Sequence, residues 1–206
     1  MGKILPTRGR SAGRTHELLL AERGYGPLLR RDYWGVIRNC RYTPAQVAQT
    51  VRRHFPAFAP PSVVTFRRSD GADRALEPGD ELDVWITGAG HFRVRVIHVD
   101  RQSFTLATET GHPEAGRITF GAYRNRRGDV IFHVRSHARS SSRFHRMGFR
   151  AAGEVMQTSA WTGFIDRVAQ SFGDGVIGFI HAETNRCDDE ATWAEERTPT
   201  FVAAGG

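Results

Sequence analysis

Between residues 62 and 138, apolar and polar side chains alternate within a series of short segments, which are separated by residues that favour turns. The segment 91–99 is the clearest, because four alternate residues share one side of the extended chain: Phe92, Val94, Val96 and His98. Alternation with a period of two is typical of a β-strand that has one buried face and one exposed face. Several such strands joined by turns of hairpin length predict an antiparallel sheet that is covered on one side only.

The predicted strands are bounded by Gly, Pro and Asp residues, which favour turns. They span residues 62–67, 81–87, 91–99, 103–110, 117–123 and 130–138. One further strand, rich in aromatic and β-branched residues, is predicted ahead of them at residues 33–41. The sheet is therefore expected to have about seven strands.

A short helix is predicted between the first two strands. Thr43 is suited to cap this helix, Pro44 to occupy its first position, and Gln46 to complete a capping box. Apolar residues then recur at four-residue spacing on one face, which we expect to be buried: Val47, Val51 and Phe55. Pro56 follows and is expected to end the helix.

A long helix is predicted over residues 140–172, and its apolar stripe is not straight. The first apolar set shares one face of the helix: Phe144, Met147, Ala151 and Val155. The second set shares a face that is rotated from the first by roughly 90°: Trp161, Phe164, Val168 and Phe172. A bend or break between Thr158 and Gly163 would allow both faces to be buried, and we expect one there.

This order of elements predicts an α+β protein with a helix-grip fold, in which a curved antiparallel sheet of about seven strands wraps around a long C-terminal helix. Such a fold usually leaves a cavity between sheet and helix. We expect residues 31–173 to form this domain. Residues 1–30, with several glycines among arginines, are interpreted as an N-terminal arm, and residues 174–206 as a C-terminal tail.

The chain carries 29 basic and 22 acidic residues, a formal net charge of +7, which by itself favours a nucleic-acid partner. Lys3 is its only lysine, however, and GC-rich coding explains so strong a bias toward arginine more simply than selection for phosphate contacts does. The arginines are also dispersed along the sequence. We therefore expect no specific nucleic-acid partner, and only weak, nonspecific binding to polyanions.

No apolar run approaches the ~20 residues of a membrane span, and the N-terminus lacks the apolar stretch of a signal peptide. The two cysteines, Cys40 and Cys187, are far apart in sequence and show no metal-binding spacing. They suit a reducing compartment. The sequence thus predicts a cytoplasmic protein without a membrane span, and it leaves the oligomeric state open.

A short motif after the fourth strand of the alternating series resembles the signature of a known family. It reads Thr108-Glu109-Thr110-Gly111-His112-Pro113-Glu114-Ala115-Gly116, and its specific part is Thr108, Gly111-His112, Glu114 and Gly116. The family is catalogued as domain of unknown function nineteen-ninety, from bacteria and plants. It is grouped with the START-like superfamily, which includes birch pollen allergen and the polyketide cyclases. The resemblance covers about residues 25–172 and implies a helix-grip fold.

Two further residues, Arg139 and Gln157, also match the family. The sequence departs from it where Ser140 stands in place of proline after Arg139, and where Arg117 replaces an acidic residue that is common after the family's glycine. The family has no established activity. The resemblance therefore implies a fold and draws attention to Thr108 and Arg139 as site residues, but it implies no reaction.

The strongest candidates for chemistry are His112 and Glu114, which flank Pro113 in a connection between two strands. They are suited to act as a general acid and base at the mouth of a cavity. The alternative is structural: both side chains fix the turn by bonding backbone amides and Arg117 or Arg139. We favour the structural interpretation, because the sequence offers neither a nucleophile nor a third group that would orient the pair.

Metal and cofactor sites are not predicted. His112 and His181 each begin a His-x-Glu string of the kind that zinc deaminases use, but no Pro-Cys-x-x-Cys follows either of them. His133 and His137 stand four residues apart on the polar side of one strand and are interpreted as part of a solvated face. No Gly-rich phosphate-binding motif occurs.

Aromatic residues of the sheet and the long helix are expected to fill the interior or to line a cavity there. Together with the motif residues they form the set of candidate ligand-binding residues: Trp85, Phe92, Phe104, Thr108, His112, Glu114, Phe120, Phe132, Arg139, Trp161 and Phe164. The sequence does not separate a solid core from a cavity lining, because both need the same apolar side chains.

Three functional hypotheses follow. The leading one is a non-enzymatic binding module that shelters a small, largely apolar molecule, lipid-like or polyketide-like, between sheet and helix. The second is an enzyme of cyclase or hydrolase type that uses the same cavity, with His112 and Glu114 as proton-transfer groups. The third is an interaction protein with a solid core, whose basic surface meets an acidic partner.

Overall fold

A curved antiparallel sheet dominates the computed structural model, which describes residues 16–142 and 150–187. Within these residues the strands are β1 Tyr25–Ile37, β2 Val64–Arg68, β3 Glu81–Ile86, β4 Gly90–Val99, β5 Ser103–Thr108, β6 Glu114–Arg124, β7 Val130–Ser140 and β8 Val176–Arg186. They lie side by side in the order β2-β3-β4-β5-β6-β7-β1-β8. The six strands predicted from the alternating segments are β2 to β7.

The helices of the same residues are α1 Pro44–Arg53, α2 Phe55–Phe58 and α3 Arg150–Phe172, with a short 3-10 turn at Ala21–Arg23. The capping box predicted for α1 is present, because the Thr43 side chain accepts from the Gln46 amide and the Gln46 side chain accepts from the Thr43 amide. Pro44 is the first residue of α1. The predicted buried face is confirmed as well: Val47, Val51 and Phe55 are inaccessible to solvent.

The core lies between the inner face of the sheet and α3. Phe164 of α3 is fully buried, and its ring packs against those of Phe120 and Phe132, with centroids 5.3 and 6.1 Å away. Phe55 of α2 joins this cluster and contacts Phe104. The sheet thus wraps around the C-terminal helix, and the predicted helix-grip fold is confirmed.

The first strand differs from its prediction. It begins at Tyr25, so residues 25–30 belong to the sheet and not to an arm. Gly26 and Pro27 are accommodated within β1 by a register shift between Tyr25 and Leu29, with Gly26 at a φ of 82°. The strand ends at Ile37, just before Asn39 turns the backbone with a φ of 54°.

β8 was not predicted, since its residues were assigned to the tail. It pairs antiparallel with β1 at one edge of the sheet. Most of its side chains are partly or fully exposed, so neither face of β8 shows the apolar period that reveals a half-buried strand. Residues 188–206 lie outside the described residues, as do residues 1–15.

The long helix also differs from its prediction. It cannot begin at residue 140, because β7 runs through Ser140. The predicted break is absent, since α3 is continuous from Arg150 to Phe172. In the second apolar set Phe164 and Val168 are inaccessible to solvent, whereas Val155, the one residue of the first set whose side chain is described, is 67% exposed. Phe144 and Met147 lie outside the described residues.

The outer face of the sheet is less solvated than predicted. His133 is 5% exposed, and its Nε2 lies 2.7 Å from Oδ1 of Asp32, a buried carboxylate that Arg135 also contacts. Burial by itself would raise the pKa of Asp32, but hydrogen bonds from His133 and Arg135 outweigh it and hold this pKa below its usual range. The interpretation of His133 as part of a solvated face is therefore wrong.

His137 lies on the same face of β7, four residues beyond His133, and is partly buried. Burial, followed by the positive charges of Arg117 and Arg135, lowers its pKa to about 3. Among residues 16–142 and 150–187, no three His, Cys, Asp or Glu side chains are grouped so that they could hold a metal ion. Over the same ranges, no helix is long and apolar enough to cross a membrane.

Candidate functional site

A cavity of about 320 Å³ lies between the inner face of the sheet and α3. Its walls are chiefly apolar, contributed by strands on one side and by the helix on the other: Phe66, Val84, Val94, Leu106, Ile118 and Trp161 are among them. This volume is in the lower part of the range of about 300–1,000 Å³ that small-molecule sites occupy.

The cavity follows from the sizes of the inward-facing residues of β7. Phe132 and Val134 fill one end of the interior, where they are fully buried, whereas Ser136 and Ala138 further along the strand leave space at the other end. Gly116 of β6 pairs with Ala138 there. It must be glycine, because a Cβ at this position would lie 2.1 Å from the carbonyl oxygen of His137.

One end of the cavity is polar, and three elements contribute to it. Oε1 of Glu114, at the start of β6, accepts a hydrogen bond from Nη1 of Arg31 on β1 at 3.1 Å. Its other oxygen, Oε2, accepts from Nε2 of Gln157 on α3. Arg31 is 8% exposed. The carboxylate thus neutralises a buried guanidinium and ties the helix to the sheet.

His112 lines the same end of the cavity but bonds differently. Its Nδ1 lies 3.1 Å from both the amide nitrogen and the carbonyl oxygen of Glu114. The neutral ring accepts from the amide when its proton is on Nε2 and donates to the carbonyl when its proton is on Nδ1. Burial lowers the pKa of His112, which favours this neutral form. The ring of Phe92 packs against it edge-on at 5.3 Å. The imidazole is therefore bonded to the backbone of Glu114, while the carboxylate of Glu114 is bonded elsewhere.

Thr108 fixes the N-terminal segment next to the cavity. Its Oγ1 donates to the carbonyl oxygen of Leu19 at 2.7 Å and accepts from the amide of Gly116 at 3.0 Å. Backbone hydrogen bonds from Leu19 to Thr108 and from Gly116 to Leu19 complete the arrangement. The motif that carries the family resemblance thus inserts residues 17–19 between the end of β5 and the start of β6.

Nine of the eleven candidate residues chosen from the sequence fall into two groups. Those that line the cavity are Thr108, His112, Glu114, Arg139 and Trp161. Four others are fully buried in the aromatic core beside the cavity and do not line it: Phe104, Phe120, Phe132 and Phe164.

Trp85 and Phe92 are corrections to that set, since neither lines the cavity. Trp85 is 42% exposed and stacks on His91, because it stands at the alternate positions of β3 that face outward. Phe92 supports the ring of His112 instead of facing the cavity itself.

The polar residues of the cavity that were missed as site residues include Arg31, Ser136 and Gln157. Arg31 was inconspicuous among many dispersed arginines and stood at the assumed boundary of the arm. Ser136 falls on the alternation that places Phe132 and Val134 inward, so this period was the signal that could have found it. Gln157 matched the family resemblance, but nothing in the sequence paired it with Glu114.

A family model described as "Domain of unknown function (DUF1990)" matches residues 45–166. No curated protein matches the sequence. Among solved structures, Ara h 8.0201 is 11% identical, with a TM-score of 0.45, over 70% of this chain and 97% of that one. Norcoclaurine synthase from Thalictrum flavum is 12% identical, with a TM-score of 0.46, over 83% and 98% of the two chains.

The di-domain ARO/CYC protein StfQ from the steffimycin biosynthetic pathway is also similar, at 12% identity and a TM-score of 0.47. This match covers 72% of the chain described here but only 51% of StfQ, so the chain spans about half the length of that protein. Likenesses at these identities concern the fold alone.

Proposed function

We propose that this chain, which belongs to the DUF1990 family, is a binding module that shelters a small, largely apolar molecule between the sheet and α3. The observation that carries the proposal is the cavity of about 320 Å³ with its chiefly apolar walls. Lipid-like and polyketide-like molecules are the classes that match such walls, because burying apolar area is what drives their binding.

The energetics of burial support a bound apolar molecule. The cavity is partly open, so its apolar walls face water when it holds no ligand. An apolar ligand removes these walls and its own surface from water, which is favourable by about 25 cal/mol per Å² of apolar area buried.

The main alternative is an enzyme of cyclase or hydrolase type with His112 and Glu114 as proton-transfer groups. Both residues line the cavity, and a neutral imidazole is a suitable base. The contacts favour the binding module, because Nδ1 of His112 is bonded to the backbone of Glu114 and the Glu114 carboxylate to Arg31 and Gln157. Neither Nδ1 nor the carboxylate can exchange a proton with a ligand without losing a hydrogen bond that holds the site together.

The third hypothesis, an interaction protein with a solid core, requires that the space beside Ser136 and Ala138 be filled by protein atoms. The cavity lining disfavours it. A cavity-filling substitution distinguishes the hypotheses, because it abolishes binding in a ligand-sheltering protein and improves packing in a protein that shelters nothing.

The experiment measures thermal shifts of three proteins across a panel of lipids and polyketides. They are the unmodified chain, Ala160→Phe, which fills the cavity, and the matched control Val155→Phe on the exposed face of α3. We expect some panel members to stabilise the unmodified chain and Val155→Phe, and to leave Ala160→Phe unaffected. Circular dichroism establishes that both variants are folded. Absence of any shift in the unmodified chain would count against the binding module.

A further inference from the structure

Three buried polar atoms at the polar end of the cavity have no hydrogen-bond partner among the described residues. They are Nε of Arg31, Oγ of Ser136 and Oε1 of Gln157. All three residues line the cavity. Buried polar atoms are almost always paired in native proteins, because an unpaired one costs about 1–3 kcal/mol. Because their residues line one cavity, an occupant of that cavity, either water or a ligand, is the nearest group that could complete their hydrogen bonding.

The three atoms belong to one cluster. Arg31 and Ser136 are direct cross-strand partners on the inner faces of β1 and β7, which brings their side chains within a few ångströms of each other. Gln157 comes from α3 but is held to the same place, because it and Arg31 both donate to the carboxylate of Glu114. We call Arg31, Glu114, Ser136 and Gln157 the polar end.

The hydrogen-bonding capacity of each unpaired atom is fixed by chemistry. Nε of Arg31 can only donate, and the Ser136 hydroxyl can both donate and accept. The side-chain amide of Gln157 is oriented by its neighbour, since a carboxylate oxygen only accepts and must therefore face Nε2. Oε1 of Gln157 is thus left as an acceptor, and it needs a donor from the occupant of the cavity.

A hydroxyl group has the two acceptor sites and the one donor that these three atoms require. Its oxygen accepts from Nε of Arg31 and from the Ser136 hydroxyl, and its hydrogen is donated to Oε1 of Gln157. A carboxylate or an ether offers acceptors but no donor, so either would leave the Gln157 oxygen unpaired. A hydrocarbon would leave all three unpaired.

The charges at the polar end also favour a neutral group. The guanidinium of Arg31 is already balanced by the carboxylate of Glu114 at 3.1 Å. Arg139, another cationic residue of the lining, donates from Nη1 to the carbonyl oxygen of Gly26. An anionic head group would therefore have to compete with Glu114 for Arg31 while giving up its own hydration.

We propose that the polar end recognises the hydroxyl group of an otherwise apolar alcohol or phenol, which occupies the remainder of the cavity. The inference rests on the proposed binding function and adds the chemical class of the ligand to it. In the empty protein, water takes the place of the hydroxyl, and the ligand displaces that water while keeping its hydrogen bonds.

The test compares four probes that share one ring system: 2-naphthol, 2-methoxynaphthalene, naphthalene and 2-naphthoate. Their dissociation constants are measured by titration calorimetry with the full chain. We expect 2-naphthol to bind at least about tenfold more tightly than each of the other three, the effect of losing one or two well-formed hydrogen bonds.

Two variants test whether the preference for 2-naphthol arises at the polar end. Ser136→Ala and Gln157→Met remove one polar group each with little change in volume, and we expect the preference for 2-naphthol to fall to about threefold or less in both. The matched controls are Ser171→Ala and Gln170→Met, at exposed positions of α3 away from the cavity, and they should keep it. Ser136→Ala is the decisive variant if Gln157→Met fails to fold.

The outcomes separate the inference from the function on which it rests. Equal binding of all four probes, or tightest binding of 2-naphthoate, would overturn the hydroxyl proposal and leave the binding module intact. A preference for 2-naphthol that survives in both cavity variants would also overturn it, since the recognition would then lie elsewhere. Failure of every probe to bind would overturn the binding module and the hydroxyl proposal together.

Discussion

Gln157 donates a hydrogen bond to Oε2 of Glu114 and so joins the first residue of β6 to the middle of α3. The same carboxylate accepts from the buried guanidinium of Arg31. The Glu114 carboxylate therefore links sheet and helix through contacts that need no ligand.

Replacing Glu114 by Ala should destabilise the protein by about 1–3 kcal/mol, because it leaves the buried Arg31 without its partner. His112→Ala should also be destabilising, since it removes the imidazole that bonds the backbone of Glu114. The control is Glu77→Ala, which removes an exposed side chain and should change the free energy of unfolding by no more than about 0.5 kcal/mol. Urea denaturation measures all three, and unchanged midpoints for His112→Ala and Glu114→Ala would contradict the structural role of both.

Gly116→Ala should be among the most damaging single-methyl substitutions in the chain. The added Cβ would meet the His137 carbonyl oxygen at 2.1 Å and the Cα of Ala138 at 2.7 Å, so β6 and β7 would have to separate locally. We expect Gly116→Ala to lower the free energy of unfolding by at least about 2 kcal/mol. The matched change is Gly163→Ala in α3, where the nearest atoms are 3.4 Å away and the better helix propensity of alanine should offset any strain. Equal stability of the two variants would show that the close approach at Gly116 is tolerated.

His137 should make the protein less stable as the pH falls. Its pKa is about 3 in the folded state and about 6.5 in an unfolded chain, so the unfolded state binds more protons between these values. Stability is therefore lost as the pH falls from about 6.5 toward 3, by up to about 1.4 kcal/mol per pH unit for this group. His137→Gln should reduce the slope of stability against pH in this window, whereas His54→Gln, at an exposed position, should not. An identical slope in the unmodified chain and His137→Gln would refute this assignment.

Binding to nucleic acid should be weak and nonspecific. The net charge of +7 is spread over dispersed arginines, many of which are already in ion pairs, as Arg68, Arg95 and Arg135 are. Fluorescence anisotropy with duplex DNA and single-stranded RNA should detect binding only at low salt, with no sequence preference and a collapse of affinity by physiological salt. Tight, sequence-selective binding at that salt would argue instead for a nucleic-acid partner.

The parts of the fold that could be predicted from the sequence are those where burial is one-sided. β2 to β7 could be predicted because apolar inward-facing residues alternate with more polar outward-facing ones, although in β5 the outward-facing residues are buried as well. α1 could be predicted because its capping box can be read from three residues. β8 could not be predicted in this way, since most of its side chains are exposed and both of its faces look polar. The break in α3 was predicted because Val155 was assumed to be buried, and an apolar residue on the surface needs no such explanation.

The candidate site was harder to predict than the fold. The sequence places the aromatic rings of both Phe120 and Trp161 in the interior. In the structure, Phe120 belongs to the solid core and Trp161 to the cavity wall. The difference depends on whether the facing residues are large, as Phe132 is, or small, as Ala138 is, and therefore on strand register. Arg31 and Gln157 meet Glu114 only because β1, β6 and α3 converge, which no local pattern reveals.

The central question is whether the cavity holds a molecule in the living cell. Native mass spectrometry of the protein purified from its own host tests this directly, with Ala160→Phe as the filled cavity and Val155→Phe as its control. We expect the unmodified chain and Val155→Phe to carry a small molecule of the same mass, which unfolding releases, and Ala160→Phe to carry none. A bare polypeptide mass for all three proteins, together with no thermal shift across the ligand panel, would contradict the account.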